Sequence, residues 1–83
     1  MWYVYIIKSI GSEFRYIGFT GDLDLRLHSH NKKLNRSTKA YAPFELEVYI
    51  AVNSKKKAIA LEKYFKTGSG KAVLKKRFLS DPD

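Results

Sequence analysis

Three stretches of the chain are dense in aromatic and β-branched residues, and each is bounded by turn-forming residues. Trp2 to Lys8 is the first and has the composition of a strand. Ile10-Gly11-Ser12-Glu13 then supplies turn chemistry, and Phe14 to Phe19 predicts a second strand. The first twenty residues therefore predict a β-hairpin. Phe44 to Val52 alternates between apolar and polar before turning apolar, which predicts a third strand. Pro43 stands just before it, where a missing N–H does little harm. Side chains two apart share a face of a strand. Tyr3 and Tyr5 are thus expected on one face, and so are Phe14, Tyr16 and Gly18.

Elsewhere the apolar positions recur at helical spacing. Ala58, Leu61 and Phe65 line one side of a helix expected over Lys55 to Thr67, with Ser54 as its N-cap. Gly68 is expected to end that helix, and Ser69 to cap a last short one over Gly70 to Leu79. Asp22 to His28 carries two patterns. Its strict alternation is that of a strand, yet it holds no β-branched residue and two aspartates. Leu23, Leu27 and Leu34 fit a helical stripe loosely, with Thr20 or Asp22 available as a cap, so a helix is favoured by a narrow margin. Asn31 to Ala42 is polar and basic and is expected to be a loop. No repeat, linker or low-complexity tract interrupts the order.

With 83 residues, a single domain over 1–83 is expected. There is no cysteine, which excludes a disulfide framework and a thiolate zinc site. The apolar run from Trp2 to Ile7 is too short for a signal peptide core with its cleavage site, or for a membrane span. A cytoplasmic protein with no membrane partner is the expectation. Sixteen Lys and Arg against eight Asp and Glu give a net charge of +8. A small basic domain concentrates polyanions, and nucleic acid is the usual one. Charge that serves only solubility, or an anionic membrane surface, would give the same balance.

Candidate chemistry falls on few positions. Between Lys55 and Arg77 stand nine basic residues and a single acid, Glu62. An isolated carboxylate in such a field suits a hard divalent cation held against phosphate. It also suits an ordinary pair with Lys66 one helical turn on. Arg26 and His30, four apart, share a face if their segment is helical. Arginine clamps phosphate through paired hydrogen bonds, and histidine passes protons near neutrality; a solvated helix face is the plain alternative. The tyrosines can fill a core or present O–H groups to phosphate and water. Lys32, Lys33, Arg36 and Lys39 in the loop, and Lys55 on the helix, are candidate backbone contacts. So is Lys71, at the start of the last helix. Lys66-Thr67-Gly68-Ser69-Gly70-Lys71-Ala72 imitates a P-loop, but Phe65 and Ala72 stand where the first glycine and the final hydroxyl residue belong. No nucleotide cofactor is expected.

The ordered set of these residues resembles the GIY-YIG nuclease superfamily over essentially the whole chain. Tyr3-Val4-Tyr5 and Tyr16-Ile17-Gly18 resemble the two halves of the family signature. Tyr16 to Asn31 resembles its YIG-x-T-x-DL-x-x-RL-x-x-HN block, and Ala60-Leu61-Glu62-Lys63 its metal-binding glutamate on a helix. The tail from Lys66 through Lys76 looks like the short stand-alone bacterial members, related to the nuclease part of excision repair. Tyr3 stands where the signature has glycine, and Phe19 where the excision-repair members have lysine.

The resemblance implies an α+β fold, a three-stranded antiparallel sheet flanked by helices, and a helix over the ambiguous segment. It also implies a phosphodiester-cutting endonuclease, with Tyr5 and Tyr16 at the site and one of them activating water, a task His30 shares in one version. Arg26 would hold the scissile phosphate and Glu62 would bind Mg²⁺ or Mn²⁺. DNA is the expected substrate, with RNA as the alternative, weak sequence preference and a leaning towards branched, flapped or single-stranded forms. Two rivals remain: a non-catalytic nucleic-acid-binding module of the same fold, and a basic domain docking an acidic protein.

Overall fold

The structure is a computed structural model that describes residues 1–79; residues 80–83, the end of the expected 1–83 domain, lie outside the described residues. Three strands form one antiparallel sheet: β1 (Trp2–Ser9), β2 (Arg15–Thr20) and β3 (Phe44–Val52), in the order β2-β1-β3. Helix α1 (Leu23–Asn31) follows β2, and helices α2 (Lys55–Phe65) and α3 (Gly68–Arg77) follow β3. This is the α+β architecture the sequence predicts, and Asp22–His28 resolves as the start of α1.

The central position of β1 explains its composition. Val4 and Ile6 project to one face and pack with Ala58, Phe65 and Leu74 of α2 and α3. Tyr5 and Ile7 project to the other and pack with Phe44, with Leu23 and Leu27 of α1 alongside. A strand covered on both faces reads as a continuous apolar run rather than an alternation, and Val4 to Ile7 are all buried. Between Ile6 and Ile7 the pairing with β3 slips by one residue, leaving Glu47 as the extra residue. Glu47 accepts two hydrogen bonds from the Arg15 guanidinium, at 2.7 and 3.1 Å, tying the two edge strands together across β1.

Three local devices set the helices. Asp22 caps α1, its carboxylate accepting from the Leu25 N–H at 3.0 Å. At the other end Lys33 takes a left-handed conformation (φ 62°) while its N–H donates to His30 and that of Leu34 to Ser29, which closes the helix as a Schellman motif. Asn31 then grips the backbone of Phe44, accepting from its N–H at 2.6 Å and donating to its carbonyl at 3.2 Å, so the end of α1 is fastened to the start of β3.

Two expected boundaries are corrected. Helix α2 ends at Phe65 rather than Thr67, and Gly68 does not stop it through a positive φ but opens α3. The N-cap of α3 is Thr67, not Ser69: its hydroxyl donates to the Tyr64 carbonyl at 2.6 Å and accepts from Gly70 N–H at 3.0 Å. One side chain thus closes α2 and opens α3. The segment expected as a plain loop, Asn31 to Ala42, contains a 3-10 turn over Lys39–Tyr41 and the fully buried Thr38.

Candidate active site

A cleft of about 480 Å³ opens along the β2 edge of the sheet and collects residues from four elements. Its lining includes Tyr5 from β1, Tyr16 and Gly18 from β2, Arg26 from α1, and Lys55 and Glu62 from α2. Side chains from both faces of β2 take part, since Phe19 packs on the side of α2 and Tyr16 on the side of α1. Four of the five residues singled out as catalytic candidates therefore border one space.

Gly18 is what lets the phenols approach. It pairs directly with Tyr5 across the β1–β2 ladder. A Cβ at position 18 would lie 2.5 Å from the Tyr5 hydroxyl oxygen and 3.0 Å from a ring carbon of Tyr16. The missing side chain makes room for the Tyr5 ring over the β2 backbone.

The fifth candidate, His30, does not border the cleft. It is completely buried behind Tyr5, so the helix face it was expected to share with Arg26 does not bring its imidazole into the cleft. Its Nε2 lies 2.9 Å from the Tyr5 hydroxyl, and its Nδ1 lies 2.7 Å from the Thr38 hydroxyl. Counting hydrogens gives this chain a direction. The buried Thr38 hydroxyl has the imidazole as its one side-chain partner among the described residues. Its hydrogen is satisfied only by donating to Nδ1. His30 is then the Nε2–H tautomer and donates to the Tyr5 oxygen, leaving the Tyr5 O–H to turn towards the cleft. Burial, followed by the nearby Tyr16, pushes the Tyr5 phenol well above its usual range, so it stays a neutral donor. Thr38 is the member of this chain that sequence alone does not single out.

Burial, reinforced by Arg26, also lowers the pKa of His30, so its neutral form is the native one. The unfolded chain takes up a proton as the pH falls through about 6.5, while the folded chain resists it. The stability this gives is present above that pH and is lost as pH falls towards the depressed folded value. The melting temperature is expected to drop as the pH falls below about 6.5, with a contribution from His30 of up to about 1.4 kcal/mol per pH unit. His30→Gln should flatten that slope; an unchanged slope in the variant would assign it to other groups.

Arg26 makes no side-chain hydrogen bond or ion pair among the described residues, so its guanidinium is available to a phosphate. Tyr16 is only partly buried, and its hydroxyl makes no hydrogen bond among the described residues. Glu62 does meet Lys66, at 3.5 Å, and the Lys66 ammonium also lies 6.0 Å over the Tyr16 ring. The ordinary helical pair and the cleft position are thus both realised. Lys55 stands 5.4 Å over the Trp2 ring at the cleft wall.

The donor set fits one kind of metal. Among the described residues no group of three or more His, Cys, Asp or Glu converges, which argues against a zinc cage. A single carboxylate facing a cleft open to phosphate fits Mg²⁺ or Mn²⁺, which keep water and substrate oxygens as most of their ligands. Of the basic positions expected to meet backbone, only Lys55 lines this cleft. Lys71 borders a separate hollow with Ile6, Arg15 and Leu74. Lys32, Lys33, Arg36 and Lys39 lie at and beyond the end of α1. No helix among the described residues is long and apolar enough to cross a membrane.

Comparison with protein families matches residues 1–77 to the GIY-YIG catalytic domain. Comparison with curated proteins and with solved structures gives no match.

Proposed function

Because the chain belongs to the GIY-YIG family, which gives it a nuclease-type function and a nucleic-acid substrate, we propose that it is a metal-dependent endonuclease that hydrolyses phosphodiester bonds in DNA. The observation that carries this is the convergence of Arg26, Glu62, Tyr5 and Tyr16 on one cleft.

Each group has a distinct task. Arg26 binds the non-bridging oxygens of the scissile phosphate, where charge accumulates as water adds to phosphorus. Tyr5, held from behind by His30 and Thr38, donates its O–H into the cleft. Tyr16, whose hydroxyl is uncommitted, accepts a hydrogen bond from the attacking water and orients it; the water's proton passes through that hydroxyl to solvent as the phenol gives up its own. Glu62 holds the cation. When bound, the cation held by Glu62 would supply positive charge against the charge that builds on phosphate during hydrolysis. His30 acts through Tyr5 and is a positioning residue.

Phosphate contacts alone carry no base information. The protein is therefore a weakly sequence-specific cytoplasmic enzyme that prefers branched, flapped or single-stranded DNA, as suits repair. The test is a panel of labelled DNA and RNA structures incubated with Mg²⁺, Mn²⁺ or EDTA. Cleavage that requires the cation and favours non-duplex DNA is expected. Binding without cleavage in either metal would leave a nucleic-acid-binding module. A sharp cut site in random-sequence duplex would overturn the proposed lack of sequence preference.

A further inference from the structure

A second hollow, of about 350 Å³, lies beside the first and is lined by Tyr3, Leu46 and Tyr49 together with Gly21, Asp22 and the first residues of α1, Leu23 and Asp24. We infer that this hollow receives an unpaired nucleobase of the strand whose phosphate occupies the catalytic cleft. The inference rests on the nuclease reading and names its substrate: nucleic acid with an unstacked nucleotide next to the cut.

The placement comes from the sheet. Tyr49 pairs directly with Tyr5 across the β1–β3 ladder, so both rings leave the same face from adjacent strands. Tyr49 remains 55% exposed, and its ring meets that of Tyr3 edge-on with centroids 5.9 Å apart. Gly21 lines both hollows, and the nearest atoms to a Cβ there would be those of the Trp2 ring, at 3.7 Å. The two hollows therefore adjoin at a residue that adds no side chain between them. A strand held by Arg26 on one side has its neighbouring nucleotide on the other.

Charge selects which part of that nucleotide enters. The protein carries +8 overall, yet no Lys or Arg lines this hollow; Asp24 does, as does Asp22, one of whose oxygens is committed to the α1 cap. A phosphate is repelled there. A base offers a flat face to the tyrosines and amino hydrogens that a carboxylate accepts. A base stacked within a duplex has neither face free, so the hollow discriminates against paired DNA. Its volume falls in the usual range of small-ligand sites, about 300–1,000 Å³.

The test uses the full-length protein in EDTA, where nothing is cut. Two single strands of equal length and charge are compared by anisotropy: ordinary DNA, and a chain of abasic residues. The wild type is expected to favour the base-bearing strand by about tenfold, as one stacked base contributes. Tyr49→Ala should bring that ratio close to one and leave the affinity for the abasic strand unchanged; Tyr49→Phe, which keeps the ring, should retain it. Equal wild-type affinity for the two strands would overturn the inference. So would an equal loss on both in Tyr49→Ala, or a change from dimer to monomer in sedimentation, which would make the surface a protein interface. Cleavage with Mg²⁺ is scored separately. Base preference without cutting leaves the hollow standing and removes the nuclease reading, and cutting without base preference does the reverse.

Discussion

Glu62→Gln is expected to lower Mg²⁺-supported cleavage by about 100-fold or more, the scale on which one preorganised electrostatic contact acts in such a site. The side chain keeps its size, so what is lost is the charge that holds the cation. Binding to DNA in EDTA should persist or tighten slightly, because an anion leaves a cleft that faces phosphate. The fold should survive. The one ion pair broken, with Lys66, involves a half-exposed ammonium at 3.5 Å, and such pairs contribute about 0–1 kcal/mol. Single-turnover cleavage, anisotropy in EDTA and a thermal melt separate these outcomes. Wild-type rates in the variant would remove Glu62 as the metal ligand. A parallel collapse of the melt would show that the residue supports the fold instead.

The strands were legible because their composition is dictated locally: β1 is buried on both faces, and aromatic and β-branched residues fill that role. The segment after β2 was not, because its leucines alternate at period two by coincidence. Leu23 and Leu27 pack on the sheet while Leu25 is 62% exposed, so one of the three leucines carries no structural information. Tertiary packing, not propensity, made the choice.

At the site, charge patterning drew attention to Glu62, the one acid between Lys55 and Arg77, and spacing to Arg26; the structure places both on the cleft. Pattern could not place His30. Four residues after Arg26 means a shared helix face, but the sheet behind that face decides what is buried. Arg26 reaches the open cleft, whereas His30 is sealed between Tyr5 and Thr38. Thr38 lay in a polar, basic stretch that reads as a solvated loop, and no periodicity marks one inward hydroxyl within it. Asn31, quoted above as part of a catalytic block, turns out to clamp the Phe44 backbone.

Of the two glycines in the P-loop imitation, Gly70 finds its explanation in packing. Helix α3 turns back on α2 so tightly that a Cβ on Gly70 would lie 2.5 Å from the carbonyl carbon of Tyr64 and 2.8 Å from the Cα of Phe65, and closer still to the Tyr64 carbonyl oxygen. Backbone cannot swing aside as a side chain does. The same carbonyl accepts from the Thr67 N–H and hydroxyl, and the hydroxyl in turn accepts from Gly70 itself. Moving α3 outward would break that cap and pull Leu74 from the core it shares with Val4, Ile6 and Phe65. Gly70→Ala is therefore expected to cost at least the upper end of ordinary overpacking, about 3 kcal/mol. For a domain of this size that is a fall of about 12–24 °C in melting temperature. Gly68→Ala is the control: nothing lies within 4 Å of a Cβ there, so it should change the melt little. A Gly70→Ala protein that melts with the wild type would mean that α3 does not sit this close to α2 in solution.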